Sequence, residues 1–277
     1  LMKGKKSNIV IYILLVILAV IFLAPIFIIL FNSFKGKLYI SDAPFKLPTA
    51  ETFVGVQNYI DGLSKTGFLS AFGWSIFITF FSTIVIVLFT SMTGWYITRA
   101  KNKVSTALYF IFVFSMIVPF QMVMFTMSKV ANMLSLDNPI GLIVLYLGFG
   151  AGLSIFMFSG FVKSIPIDIE EAALIDGCNP IKTFFLIVLP LLKPICITVA
   201  ILNVMWIWND YLLPSLVLKS DYKTIPMAVQ YLRGGYGAID MGAMMAVLVL
   251  AIIPIIIFYL TCQKYIIEGV AAGAVKG

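Results

Sequence analysis

The sequence predicts an all-α, polytopic membrane protein with six transmembrane helices, and three observations predict it. Apolar residues make up 61% of the 277-residue chain and charged residues 11%, against about 25% charged in a soluble domain; the mean hydropathy is +1.07. Six stretches carry at most one charge over the ~20 residues that a helix needs to cross a ~30 Å hydrocarbon core. None of them has the ten-residue alternation of an outer-membrane barrel, so helices are the reading.

Such a composition excludes disorder, a secreted disulfide scaffold and a nucleic-acid-binding domain as descriptions of the whole chain. Its +7 balance, from 19 Lys+Arg against 12 Asp+Glu, suits anionic lipid and cytoplasmic loops. There is no histidine, which removes imidazole bases, His-ligated metals and Ser-His-Asp triads. Cys178, Cys196 and Cys262 share no metal-ligand spacing and read as reduced, structural thiols. Gly36-Lys37 is followed by Leu38, so no G-x-x-x-x-G-K-[ST] loop exists to hold a nucleotide. No catalytic residue, metal or cofactor is expected on this chain.

Taken in order, the first span is 9–31, after Lys3, Lys5 and Lys6. It is longer than a typical signal-peptide core and no A-x-A site follows, which favours an uncleaved helix. An outer loop follows, and the second span is expected from about Gly73 to Thr98. Spans at 104–128, 138–162, 194–218 and 241–263 complete the set; the fifth holds one charge, Asp210. The expected division is thus 1–72, a first helix with an outer loop, and 73–277, a five-helix core. Six spans put both termini on one side. With the termini cytoplasmic, eleven of the nineteen basic residues lie inside and eight outside, so the positive-inside rule favours that orientation. Pro25, Pro119 and Pro254 are read as kinks within spans. Gly148 and Gly152 read as a face for close helix packing, one that could also meet another permease subunit, and 234–237 as an outer turn cluster.

The segment 163–193 is no ordinary connector. Ser164-Ile165-Pro166 opens a helix whose first turns hold Asp168, Glu170 and Glu171, where a helix N-terminus favours negative charge. Gly177 is a natural stop, and Asn179-Pro180 starts a second helix expected to break at Pro190. An interfacial helix would be a simpler reading, but an acidic face is repelled by anionic lipid. A protein partner explains it better.

Glu171-Ala172-Ala173, three residues, Gly177, nine residues, Ile187, one residue, then Leu189-Pro190 resembles the EAA signature of ABC importer permeases. Gly55-Val56-Gln57-Asn58-Tyr59 is similar to the G-x-x-N-Y element of the carbohydrate-uptake, maltose-type branch, and Trp208-Asn209-Asp210 to its W-N-[DE] motif. The tail from Glu268 to Gly277 resembles that branch's E-G-L-T-A-G-A-V-K-G ending, while Asp240-Met241-Gly242 stands where relatives often carry Asp-Trp-Gly. The resemblance covers 9–277 and implies a type I ABC importer permease fold in a bacterial or archaeal cytoplasmic (inner) membrane. It also implies a second permease subunit, two cytoplasmic ATP-binding subunits that carry the ATP and Mg, and an extracytoplasmic sugar-binding protein. The EAA loop, about 163–190, would couple to the ATPases through Glu170, Glu171, Ala172, Ala173, Asp176, Gly177, Leu189 and Pro190.

Asn203, Trp206 and Asp210 fall within about 60° of one another on a helix. With Gln121 just after Pro119, they either line a sugar pathway or serve as interhelical packing groups. An intramembrane enzyme or an ion-coupled transporter would need more charge within the spans than Asp210 supplies. A polyol or sugar phosphate remains the competing solute.

Overall fold

The structure is a computed structural model that describes residues 3–232 and 239–274, with side chains at 9–232 and 239–265. The 234–237 turn cluster and the side chains of both basic termini lie outside the described residues. Among those described, every regular element is helical, and a single antiparallel bridge joins Lys35 to Phe53. The chain forms two compact units, Leu1–Leu69 with Ala228–Pro254, and Ser70–Met227 with Ile255–Gly277.

In the first unit, α1 (Lys3–Asn32) is a Leu/Ile/Val-rich rod that accommodates Pro25 without ending. Residues 9–23 of it are all exposed, as suits a helix solvated by lipid. A short α2 (Lys37–Asp42) and α3 (Gln57–Thr66) follow. The Gly55–Tyr59 motif pins α3 to the end of α1. The Asn58 amide donates to the carbonyls of Ser33 and Lys35, both at 2.8 Å, and the Tyr59 hydroxyl meets Ser33 Oγ at 2.7 Å.

Gly67 ends α3, and α4 (Phe68–Arg99) starts at once, several residues before the expected Gly73. At ~1.5 Å per residue its 32 residues reach ~48 Å, well past the hydrocarbon thickness.

The expected third span is not one rod. It is split into α5 (Lys103–Ser115) and α6 (Phe120–Met133), bent by 105°. Pro119 is the cause: it lacks an amide hydrogen and pushes the preceding residue out of helical conformation, so it serves as the N-cap of α6 instead of a mild kink. The fourth span is α7 (Pro139–Val162), capped by Asn138, whose Oδ1 accepts from the amides of Ile140 and Gly141. The two glycines of its expected packing face differ. A Cβ on Gly152 would come within 2.9 Å of Phe112, Ser115 and Met116 on and beside α5, whereas Gly148 faces open space.

After α7 come α8 (Ile167–Ile175), α9 (Pro180–Thr183), a π-helical turn at Phe184–Val188, and α10 (Leu189–Leu191). Then α11 (Lys193–Asn209) stops short, α12 (Leu212–Val217) and α13 (Ile225–Tyr231) follow, and α14 (Met241–Ala274) closes the chain. Among the described residues four helices are long and apolar enough to cross a membrane, and six spans result if each bent pair counts as one. Within the second unit, α4, α7, α11 and α12 enclose one core around Ile78, Ile86, Tyr146, Ile207 and Leu213. A second core, around Phe158, Ile165, Phe184, Val188 and Leu192, seats the loop that follows α7.

Candidate functional site

The loop after α7 is built by three local devices. Asp168 and Glu170 lie in the first turn of α8, where the unpaired amides and the helix dipole favour carboxylates. Its other end is a Schellman cap: the Cys178 amide reaches the carbonyl of Ala173 at 3.0 Å and the Gly177 amide that of Leu174 at 3.1 Å. Gly177 closes that cap at φ +83°, a backbone conformation that a side chain resists. Asn179 Oδ1 then accepts from the Lys182 amide at 2.8 Å and starts the second helix.

That second helix does not break at Pro190. The widened π turn lets the Leu189 amide reach the carbonyl of Phe184, which opens room for a proline ring that would crowd a regular turn. The chain bends by 78° at Leu192 instead, between Pro180–Leu191 and α11.

The motif's side chains divide between two faces. Glu171, Ala172, Asp176, Gly177 and Pro190 are exposed, and Leu189 is half-buried. Exposed apolar groups Ile175, Ile181 and Leu186 accompany them. Glu170 and Ala173, expected on the same contact face, point inward; they are the two buried residues of α8. Glu170 Oε1 accepts from Arg99 Nε at 2.9 Å and from a terminal Arg99 nitrogen at 2.7 Å. Its Oε2 accepts from Trp95 Nε1 at 2.9 Å. Arg99 also donates to the Ile165 carbonyl at 2.9 Å, and the Trp95 ring tilts against Phe184 at 5.5 Å. Helical spacing places Glu170 and Glu171 about 100° apart, which is why one carboxylate is buried and its neighbour exposed.

A second polar cluster lies farther along the same unit. Asn203 is buried on α11 and donates to the Val199 carbonyl at 2.8 Å and to Ser154 Oγ at 3.4 Å, so it is satisfied within the chain. Trp206 meets Tyr146 edge to face at 5.4 Å and remains 41% exposed. Asp210 is not inside a span helix but in the break after α11. One of its oxygens accepts from Tyr146 at 3.0 Å; the other caps α12 through the amides of Leu212 at 2.9 Å and Leu213 at 3.3 Å. Tyr146 thus gathers Trp206 and Asp210, a convergence of residues 60 or more positions apart that no local spacing in the sequence marks. Gln121 is exposed on α6, outside this cluster.

Among the described residues, no three of Cys, Asp and Glu come together to ligate a metal ion, and the three cysteines are free and half-buried. The arrangement is one of positioning: an exposed acidic and apolar face on a clamped loop, and an aromatic-polar cluster between helices.

The family described as binding-protein-dependent transport system inner membrane component matches residues 90–271. The chain is 39% identical over 262 residues to the probable starch degradation products transport system permease protein AmyC of Thermoanaerobacterium thermosulfurigenes, covering 94% of each chain. It is 35% identical, covering 96% of each, to the multiple sugar-binding transport system permease protein MsmG of Streptococcus mutans. Among solved structures, a bacterial ABC transporter involved in import of the acidic polysaccharide alginate contains a chain that matches with a TM-score of 0.78 and 25% identity, over 95% of this chain and 97% of that one. The chain therefore has an importer permease fold, and it is a multi-pass membrane protein of the binding-protein-dependent transport system inner membrane component family.

Proposed function

We propose that this chain is one permease subunit of an ATP-driven importer that takes up oligosaccharides. The observation that carries the coupling role is the loop's exposed face, with Glu171 beside Ile175 and Ile181 on a backbone held by a Schellman cap and a π turn. A carboxylate flanked by exposed apolar groups fits a basic, apolar-rimmed groove on a protein, where truncation of a paired charge costs ~2–5 kcal/mol. The partner is an ATP-binding subunit on the cytoplasmic side, one of a pair. Glu171, Asp176 and the exposed turn at Gly177 make the contact, and Leu189 with Pro190 carries the motion toward α11.

The carbohydrate assignment rests on the sugar-importing relatives and on the Trp206–Tyr146–Asp210 cluster. An indole left partly exposed beside a carboxylate and a hydroxyl suits sugar, by stacking on its apolar face and hydrogen bonding to its hydroxyls. A second permease subunit supplies the other half of the pathway, and an extracytoplasmic binding protein delivers the solute. Both termini and the coupling loop face the cytoplasm, in line with the distribution of basic residues.

Proteoliposomes holding this chain with its second permease, its ATPase subunits and its binding protein test the proposal. ATP inside should drive accumulation of a labelled malto-oligosaccharide or raffinose-type sugar. Accumulation of a polyol or a sugar phosphate in place of any of these would move the solute assignment, and no ATP-dependent uptake of any solute would end it.

A further inference from the structure

We propose that Trp95, Arg99 and Glu170 form the joint through which movement of the coupling loop reaches α4. The proposal rests on the coupling role argued above and adds the positioning residues that make the loop act on the membrane helices.

The attachment of α8 is sparse. Of its nine residues only Glu170 and Ala173 are buried, and Ala173 offers a single methyl group. A force applied to the exposed side of α8 therefore reaches the rest of the unit largely through the Glu170 carboxylate. Every strong bond of that carboxylate ends on one turn of α4: Arg99 holds one oxygen through two nitrogens and Trp95 holds the other. Arg99 also grips the Ile165 carbonyl just ahead of α8, and Trp95 lies against Phe184 in the π turn beyond it. Residues 95 and 99 are one helical turn apart, so a single turn of α4 holds α8, the chain leading into it and the turn that follows it.

The receiving helix is itself firmly seated. A Cβ on Gly94 would lie 2.8 Å from Phe158 Cβ, and Ser159 Oγ donates to the Gly94 carbonyl at 3.4 Å, so α4 and α7 are in backbone contact just before the joint. The geometry of a guanidinium also suits the task. Its planar fork bonds Glu170 and Ile165 together in fixed directions, which a lysine ammonium cannot reproduce. The side chain of Glu170 is 8% exposed and that of Arg99 19%, so water competes weakly for the pair and the contact resists stretching.

The test uses the whole importer in proteoliposomes and reads three quantities: ATPase co-purification, ATP hydrolysis, and sugar taken up per ATP hydrolysed. Glu170→Gln keeps the shape and an acceptor for Trp95 but removes the charge held by Arg99. Its ATPase subunits should co-purify at the wild-type ratio, because Glu171 and the exposed face are untouched, while uptake per ATP falls at least tenfold. Arg99→Lys should fall in the same direction by a smaller factor, and Trp95→Phe, which keeps the ring on Phe184 and loses only the indole donor, by about two- to fivefold. Wild-type uptake per ATP in Glu170→Gln would overturn the joint. So would loss of ATPase co-purification in that variant, since it would make the cluster a simple folding element. Failure of the wild-type importer to accumulate sugar would count against the proposed function instead, and is read in the same experiment before any variant.

Discussion

Glu170 and Asp210 are two carboxylates in one unit, and they are held by opposite means. Glu170 is neutralised by a cation, with Arg99 on one oxygen and an indole on the other, and it is almost wholly buried. Asp210 is held by neutral donors, the Tyr146 hydroxyl and the first amides of α12, and it stays half-exposed. A charge matched by a charge can be sealed into a rigid joint. A charge matched by dipoles keeps part of its hydration, and with it room for a polar solute. The loop and the aromatic-polar cluster thus differ in what they can do because they differ in how each carboxylate is satisfied.

Removing the cation should give the largest effect. Arg99→Ala leaves Glu170 buried and unpaired, at a cost of about 3–5 kcal/mol, and should lower the thermal unfolding temperature of the purified subunit strongly. The double variant Arg99→Ala with Glu170→Ala should recover most of that loss; a double variant no more stable than Arg99→Ala alone would break the contrast. Tyr146→Phe should cost less, about 1.5–3 kcal/mol for one hydrogen bond to a charged group, read in the same unfolding assay. An Asp210→Asn background should shrink that cost, because the amide no longer carries the charge that Tyr146 serves.

A third carboxylate sharpens the comparison at its weak end. Asp240 caps α14 through the Ala243 amide and meets Lys65 at 2.6 Å, both groups being partly exposed. Burial pushes the Asp240 carboxyl up, but the hydrogen bonds from Lys65 and Ala243 outweigh it and leave it below the usual carboxylate range. A carboxyl depressed on folding stabilises above its unfolded value, and that contribution is lost as the pH falls through the lower folded value. Unfolding midpoints measured from neutral to about pH 3 should therefore show a small acid-side loss that Asp240→Asn abolishes. An exposed pair of this kind contributes little, so the change should be smaller than either effect above.

Much of the fold is legible in the sequence because span-length apolar runs and short-range caps are local. Gly177 and Asn179 act where reading places them, each through bonds to neighbours within five residues. The 105° bend at Pro119 is less legible, because the same residue permits a kink or a full break. The inward turn of Glu170 depends on Arg99, 71 residues away, which the chain's charge pattern marks only as one more basic residue in a short loop. A signal did exist. Trp95 and Arg99 are four residues apart near the end of a span, a donor pair on one face for which an acceptor is required. Tyr146 is hidden for a related reason, since its partners Trp206 and Asp210 lie 60 or more residues on.

Under the proposed function, adjacent carboxylates work on different partners, Glu170 inside the chain and Glu171 on an ATPase. ATPase co-purification with Glu171→Lys and with Glu170→Gln, measured side by side on the intact importer, tests it most directly. Glu171→Lys should lose the ATPase subunits by tenfold or more while inserting normally, and Glu170→Gln should retain them. Equal retention in both variants, or loss in Glu170→Gln alone, would contradict the division.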